Sequence, residues 1–248
     1  MVLIPIQFIF TRLNLPFWNV MPRGFYGLLA VFFGLKVKVI GKVQSKYPTL
    51  LVANHISWLD IIAIGSCANI SFIAKSEIAK WPLVGFFASL QKTIFVARTR
   101  KTDTKRTSNE MAKRLNDGGA LVLFAEGGSN NGRHLMPFRS ALVGAVFATM
   151  KQGEKQAEKI VIQPLTIAYT KIQGLQIPRF GRSNLAWDKS ASAWKNIKQI
   201  LNSDVKQVVV SFGRPIEIKA SDDRKKITKI CETEVRKTLV ALNRGEIS

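Results

Sequence analysis

The chain has 248 residues, with 37 Lys and Arg against 16 Asp and Glu and a formal net charge of +21. At 47% hydrophobic residues it is too apolar for a disordered basic tail, and it is long enough to bury a sizeable core in one large domain or two small ones. A folded chain this basic is expected to meet an anion: nucleic acid, a phospholipid surface or a phosphorylated substrate. Cys67 and Cys231 are far apart and no Cys/His cluster has ligand spacing, so neither a disulfide framework nor a metal site is expected.

No acidic residue precedes Asp60, whereas Arg12, Arg23, Lys36, Lys38, Lys42 and Lys46 do. Met1 to Phe10 and Phe25 to Leu35 are apolar runs, each shorter than the roughly 18–20 residues of a spanning helix. Arg12, Asn14, Asn19 and Arg23 keep them apart, and the pattern of a cleaved signal peptide is missing. Short apolar segments with basic flanks predict membrane-associating helices over 1–35 that dip into or lie on a bilayer; a buried hairpin covering the core is the alternative.

From residue 36 onward the pattern alternates. Strands are predicted over Lys36 to Ile40, Thr49 to Ala53, Ser71 to Ala74, Thr93 to Val96, Ala120 to Phe124, Ile160 to Tyr169 and Gln207 to Phe212. Helices are predicted from Trp58 to Ile64, Leu83 to Leu90, Thr104 to Asn116 and Ser140 to Met150. A further helix is marked by the stripe Ile227, Ile230, Cys231, Val235, Leu239 and Leu242. Lys171 to Ser192 reads as loop. Alternation of this kind implies an α/β domain spanning 36–248, with helices packed on a sheet.

Polar chemistry gathers at strand ends, where sites of open α/β folds tend to lie. Asn54-His55-Ile56-Ser57-Trp58-Leu59-Asp60 follows an apolar strand directly. On a continuous helix His55 and Asp60 would point about 140° apart, so they meet only if the chain turns at His55 and the helix starts near Ser57. A His with a carboxylate on one nitrogen keeps the other free as a general base. Ser57-x-x-Asp60 also reads as a capping-box-like helix start, with no catalysis implied. The second cluster, Leu121-Val122-Leu123-Phe124-Ala125-Glu126-Gly127-Gly128-Ser129-Asn130-Asn131-Gly132, ends a strand in a carboxylate and a Gly-rich polar turn. Its backbone suits an anion, or simply a turn, and nucleotide-loop spacing is absent. The third is Phe95-Val96-Ala97-Arg98, followed by Arg100, Lys101, Lys105 and Arg106. The Arg98 fork suits phosphate, although a charge run is usually a solvated face. His134 has no patterned partner.

Together these clusters resemble the glycerolipid acyltransferase family typified by bacterial 1-acyl-glycerol-3-phosphate acyltransferase. The block N-H-x-S-x-x-D is matched by Asn54, His55, Ser57 and Asp60, and F-[IV]-x-R by Phe95, Val96 and Arg98. F-P-E-G-T-R-S is matched by Phe124, Glu126 and Gly127, and the strand proline by Pro164. The similarity covers roughly residues 25 to 218. Ala125, Gly128 and Ser129 stand where the family usually has Pro, Thr and Arg, and Ala97 where it has Asp. Loss of the third-block arginine leaves its phosphate-binding role to Arg98, with Arg133 or Arg139 as a second charge. Lyso-ornithine lipid acyltransferases resemble this variant, with F-A-E-G at the third block and a downstream Ala-Trp similar to Ala186-Trp187-Asp188.

The resemblance implies a single acyltransferase domain, with a mixed sheet flanked by helices and an N-terminal apolar membrane segment. It implies acyl transfer from acyl-CoA or acyl carrier protein to the hydroxyl of 1-acyl-glycerol-3-phosphate, or of another lysolipid such as lyso-ornithine lipid. His55 would act as base with Asp60 orienting it. Asn54, Ser57, Arg98, Glu126, Gly127, Gly128 and Ser129 would hold substrate. No metal or resident cofactor is implied, since the thioester is a co-substrate. The implied partner is a phospholipid membrane, approached from the cytoplasmic face of the inner membrane, and no nucleic acid. A nucleic-acid module and an inactive membrane scaffold are the competing classes; the first lacks a recognisable motif, and the intact first block argues against the second.

Overall fold

A computed structural model describes residues 20–80, 88, 93–96, 110–111, 113–115, 119–152, 160–187 and 193–247. Its elements begin with α1 (Val20–Phe32), β1 (Leu35–Ile40), β2 (Thr49–Ala53), α2 (Leu59–Cys67), β3 (Ser71–Lys75) and β4 (Ile94–Val96). They continue with β5 (Ala120–Phe124), α3 (Ser140–Gln152), β6 (Ile160–Ile172), β7 (Leu175–Gln176), α4 (Ala193–Leu201), β8 (Lys206–Phe212), β9 (Ile216–Ile218) and α5 (Arg224–Arg244).

The sheet runs β1-β8-β6-β2-β5-β3-β4, with β7 and β9 paired to β6. From β6 to β4 the strands are parallel, whereas β8 runs antiparallel to β6. β2 is buried at every residue, as expected of a central strand covered on both faces. Alternate side chains therefore feed two apolar cores. Leu51, Ala53, Leu165, Ile167 and Tyr169 point to one face, where α1, α2 and α4 add Tyr26, Ala30, Leu59, Ile64 and Ile200. Leu50, Val52, Leu121, Leu123 and Ile162 point to the other, against Val143 and Val146 of α3 and Cys231, Val235 and Leu242 of α5. α5 is capped at both ends: the Asp223 carboxylate accepts from Lys225 N, and Gly245 at φ 74° takes the left-handed terminal position.

The mixed α/β architecture agrees with the sequence expectation, and the predicted strands fall on β1 to β6 and β8. One reading is corrected, one helix was missed and one segment lacks support. Lys171 to Ser192 contains the end of β6, the hairpin partner β7 and a 3-10 turn at Gly181–Asn184. α4 was not foreseen, because its apolar signal, Trp194, Ile197, Ile200 and Leu201, lies within a helix of only nine residues. The apolar N-terminal membrane segment finds no support among the described residues, where, in keeping with the shortness of the apolar runs, no helix is long and apolar enough to cross a membrane. α1 instead lies on α2, where a Cβ at Gly65 would stand 2.2 Å from the Tyr26 ring. The helix expected over Leu83 to Leu90 falls mainly outside the described residues, as does Met1 to Asn19. Of the helix expected over Thr104 to Asn116, residues 110–111 and 113–115 are described and helical, with Met111 and Leu115 buried.

Candidate active site

Residues Ala53 of β2 and Phe124 of β5 are register partners on neighbouring parallel strands. The chain beyond each strand end therefore enters the same space, which brings the first and second sequence clusters together. The ladder continues one step past the strands, with Ala125 N donating to Ala53 O at 3.0 Å.

The turn on which a contact between His55 and Asp60 depends is present. Between Ala53 and the start of α2 at Leu59 the chain reverses, and His55 Nδ1 lies 2.8 Å from Asp60 Oδ2. Oδ2 also accepts from Ile56 N at 2.7 Å and Ser57 N at 3.0 Å. Oδ1 accepts from the Tyr169 hydroxyl at 2.7 Å. Asp60 is fully buried, and four donors converge on it, an arrangement that an acceptor-only carboxylate satisfies. The contact with His55 and the capping reading are compatible, since the bond from Ser57 N is the returning half of a capping box. Because a carboxylate oxygen can only accept, Nδ1 carries the proton and Nε2 presents its lone pair. The imidazole side chain is 18% exposed and stacks on Phe124 with ring centroids 4.0 Å apart. The ring is thus held on one face and at one nitrogen, while the other nitrogen is available for proton transfer.

Backbone bonds lock the turn itself. Glu126 Oε1 accepts from His55 N at 2.7 Å, Asn130 N donates to His55 O at 3.1 Å, and Trp187 N donates to Ile56 O at 3.0 Å. Glu126 Oε2 accepts from Asn130 Nδ2 at 2.6 Å and Met136 N at 2.8 Å. Burial pushes the Glu126 carboxyl above its ordinary value, and the three donors act against that rise.

Several expected substrate contacts are placed otherwise. Asn54 is fully buried; its amide donates to Ile167 O at 2.9 Å and accepts from Ile167 N at 2.8 Å. It ties β2 to β6 and has no surface to offer a substrate. Ser57 is likewise fully buried at the start of α2. Glu126 is 5% exposed and both its oxygens accept from the protein, Oε1 bracing His55 N. Ser129 Oγ donates to Trp187 O at 3.1 Å, which ties the glycine turn to the segment after the 3-10 turn. Gly127, at φ 80°, takes a left-handed conformation, and a Cβ there would sit 3.0 Å from Arg139 Nε. Arg98 lies outside the described residues. Of its proposed helpers, Arg133 donates to Ser183 Oγ at 2.8 Å and covers the Phe180 ring. Arg139 lines an open cavity of about 260 Å³ with Gly127, Gly128, Asn130, His134 and Met136. That cavity shares Glu126 and Asn130 with the bracing of His55.

Tyr169 and the bracing role of Glu126 were missed by sequence reasoning. Tyr169 belongs to an apolar strand, and nothing local distinguishes its hydroxyl from that of any buried tyrosine. Asn130, two residues beyond Gly128, carried the one available signal, as the polar end of the Gly-rich run.

Comparison with known proteins agrees with this geometry. The family profile described as Acyltransferase matches residues 35–168. A lyso-ornithine lipid O-acyltransferase of Brucella abortus is 38% identical over 237 residues, covering 96% of this chain and 88% of that protein. One of Rhizobium meliloti is 33% identical over 245 residues, covering 99% and 83%. A 1-acyl-sn-glycerol-3-phosphate acyltransferase of Neisseria gonorrhoeae is 35% identical over 117 residues, covering 46% of this chain and 45% of that protein. The crystal structure of the 1-acyl-sn-glycerophosphate acyltransferase PlsC of Thermotoga maritima superposes with a TM-score of 0.66 at 18% identity, covering 91% and 79% of the two chains. At that identity the likeness concerns the fold.

Proposed function

The chain belongs to the acyltransferase family, and on that premise we propose that it transfers a fatty acyl group from an acyl thioester to the hydroxyl of lyso-ornithine lipid. The observation that carries the acceptor is coverage. The two lyso-ornithine relatives align along 96% and 99% of the chain, whereas the Neisseria relative named for the phosphate-bearing acceptor aligns along 46%. The cleft supports the same reading. Ser129 stands where the phosphate-binding family has arginine, and its hydroxyl is engaged by Trp187 O. Arg139 offers one guanidinium, which suits the carboxylate of an ornithine headgroup.

In this mechanism the acceptor hydroxyl attacks the thioester carbonyl carbon while His55 Nε2 takes its proton. Asp60 holds the Nδ1–H tautomer and offsets the charge of the imidazolium. The tetrahedral intermediate collapses, the C–S bond breaks, and His55 returns the proton to the departing thiolate. No covalent acyl-enzyme forms, because the acceptor supplies the nucleophile. The donor is an acyl-CoA or an acyl carrier protein, and the lipid acceptor places the reaction at a membrane.

The second reading, 1-acyl-glycerol-3-phosphate as acceptor, is favoured by the Neisseria relative and by Arg98 at the end of the second block. Purified full chain, a labelled acyl thioester and the two lysolipids in parallel separate them, with His55→Ala beside wild type. Lyso-ornithine lipid should be acylated at least tenfold faster, and His55→Ala should lose about 10²–10⁴ in rate. Acylation of lysophosphatidate alone overturns the acceptor, and an unimpaired His55→Ala overturns the base.

A further inference from the structure

The segment that carries Arg139 to the cavity is pinned amide by amide. Met136 N donates to Glu126 Oε2 at 2.8 Å, Phe138 N to Glu232 Oε2 at 3.0 Å and Arg139 N to Ala125 O at 2.9 Å. Residue 137 is a proline and has no amide hydrogen to place. Arg139 O then accepts from Leu142 N at 3.0 Å in the first turn of α3. The backbone of Arg139 is thus committed on both sides. Its guanidinium lines the cavity and has no hydrogen-bond or ion-pair partner among the described residues.

Two of the three acceptors, Glu126 and Ala125, belong to the turn beyond β5. The third comes from another part of the chain. Glu232 lies on α5, 94 residues from Phe138, and α5 falls outside residues 35–168, which match the family profile. Its Oε1 pairs with Lys229 at 3.0 Å and Arg236 at 3.2 Å, as an ordinary acid on a helix surface would. Those pairs leave Oε2 free to turn inward, and the Glu232 side chain is only 8% exposed. There it satisfies the amide of Phe138, which is itself buried and would otherwise have no acceptor. Cys231 and Val235 of the same helix are fully buried in the core that also holds Phe138, so the carboxylate is delivered from a fixed element.

We propose that Glu232 is a positioning residue for acceptor binding: by holding the Phe138 amide it sets the backbone from which Arg139 extends its guanidinium over Gly127 to the anionic headgroup. The bond acts one residue from Arg139. A Cβ at Gly127 would stand 3.0 Å from Arg139 Nε, so the side chain lies close on the glycine turn and a shift of its backbone changes where the fork points. A planar guanidinium pairs with a carboxylate or a phosphate only over a narrow range of orientations, which makes its aim matter as much as its charge. The inference rests on the proposed role of Arg139 at the acceptor and adds the residue on which that aim depends.

Lysolipid binding to the detergent-solubilised full chain is measured by calorimetry with no acyl thioester present, so turnover plays no part. Lyso-ornithine lipid and 1-acyl-glycerol-3-phosphate supply anionic headgroups, and a monoacylglycerol is the neutral control. Glu232→Leu should bind the anionic lipid at least about tenfold more weakly than wild type, the scale of one hydrogen bond to a charged group, and the monoacylglycerol equally well. Glu232→Gln removes the same negative charge but keeps an oxygen for Phe138 N. Its NH₂ faces Lys229 and Arg236, whose exposed heads can turn to water, so it should bind as wild type does. On an Arg139→Ala background Glu232→Leu should cause no further loss. Glu232→Asp keeps the charge but draws it back from Phe138 N; it should shift affinity in the direction of Leu, and it carries the comparison if Leu does not fold. Equal losses in Leu and Gln overturn the proposal, as does a loss that persists without Arg139 or extends to the monoacylglycerol. A wild type that binds charged and neutral lipids alike overturns it too, because Arg139 then holds no headgroup. A wild type that binds only 1-acyl-glycerol-3-phosphate overturns the acceptor proposed above, and the same variants on that lipid still decide Glu232. An unimpaired His55→Ala overturns the base without moving any of these affinities.

Discussion

Replacing Asp60 by Asn separates the charge of this site from its geometry. One oxygen, Oδ2, accepts from His55 Nδ1, Ile56 N and Ser57 N, while Oδ1 accepts from the Tyr169 hydroxyl. An amide with its oxygen at the Oδ2 position keeps the first three bonds. Its NH₂ then faces Tyr169, whose hydroxyl turns from donor to acceptor. The flipped amide would set its NH₂ against two backbone N–H groups, so the Ile56 and Ser57 amides enforce the productive orientation and with it the Nδ1–H tautomer of His55. What the variant loses is the negative charge beside the imidazolium. Unit charges about 4 Å apart at an effective dielectric constant of about 20 attract by roughly 4 kcal/mol, which corresponds to about 10³ in rate. We therefore expect kcat to fall about a thousandfold while the melting temperature moves by less than about 3 °C. The assay is initial rate at saturating acceptor alongside differential scanning fluorimetry. A variant within tenfold of wild type would refute the electrostatic role of Asp60. Collapse of thermal stability would refute the reversal of Tyr169.

Tyr169→Phe should leave Asp60 Oδ1 buried without a donor, cost about 1.5–3 kcal/mol and lower the melting temperature by about 3–12 °C. Combined with Asp60→Asn a stability loss of about 1–3 kcal/mol should persist, because the amide NH₂ then has no acceptor. Glu126→Gln sets an NH₂ against either His55 N or the Asn130 and Met136 donors, and should cost about 1–3 kcal/mol in a thermal melt. A carboxyl whose folded value is raised contributes stability below its ordinary value of 4.5 and loses it as pH climbs through the folded one. The stability advantage of wild type over Glu126→Gln should accordingly be largest in acid and shrink as pH rises above about 4.5. Gly127→Ala should cost about 1–2 kcal/mol for its left-handed backbone and displace Arg139, which steady-state kinetics would register as a several-fold rise in acceptor KM.

Much of the scaffold was legible because its signals are local. β2, β5 and β6 are apolar runs bounded by polar turns, and α5 shows its buried stripe every three or four residues. The His55–Asp60 pair was legible as a conditional: the residue types fit, and the contact required a turn that Ser57 and Asp60 themselves help to build. Asn54, Ser57 and Glu126 stand in the matched blocks, yet each is consumed by internal hydrogen bonds, and a motif does not distinguish a residue that touches substrate from one that holds another residue in place. Membership of a buried apolar strand likewise hid the part played by Tyr169.

By itself the amino-acid sequence determined which segments must be buried, where the chain turns, and that a histidine, a carboxylate and a glycine turn lie at strand ends. Those are properties of periodicity, side-chain polarity and backbone freedom, which act over a few residues. Only the tertiary structure decided which strand ends share a space. Parallel pairing of β2 with β5 sets Glu126 against the backbone of a residue 71 positions away, and pairing of β2 with β6 sets Tyr169 against a carboxylate 109 positions away. Hydrogen bonds form between atoms that the sheet makes neighbours, and separation along the chain says nothing about which those are.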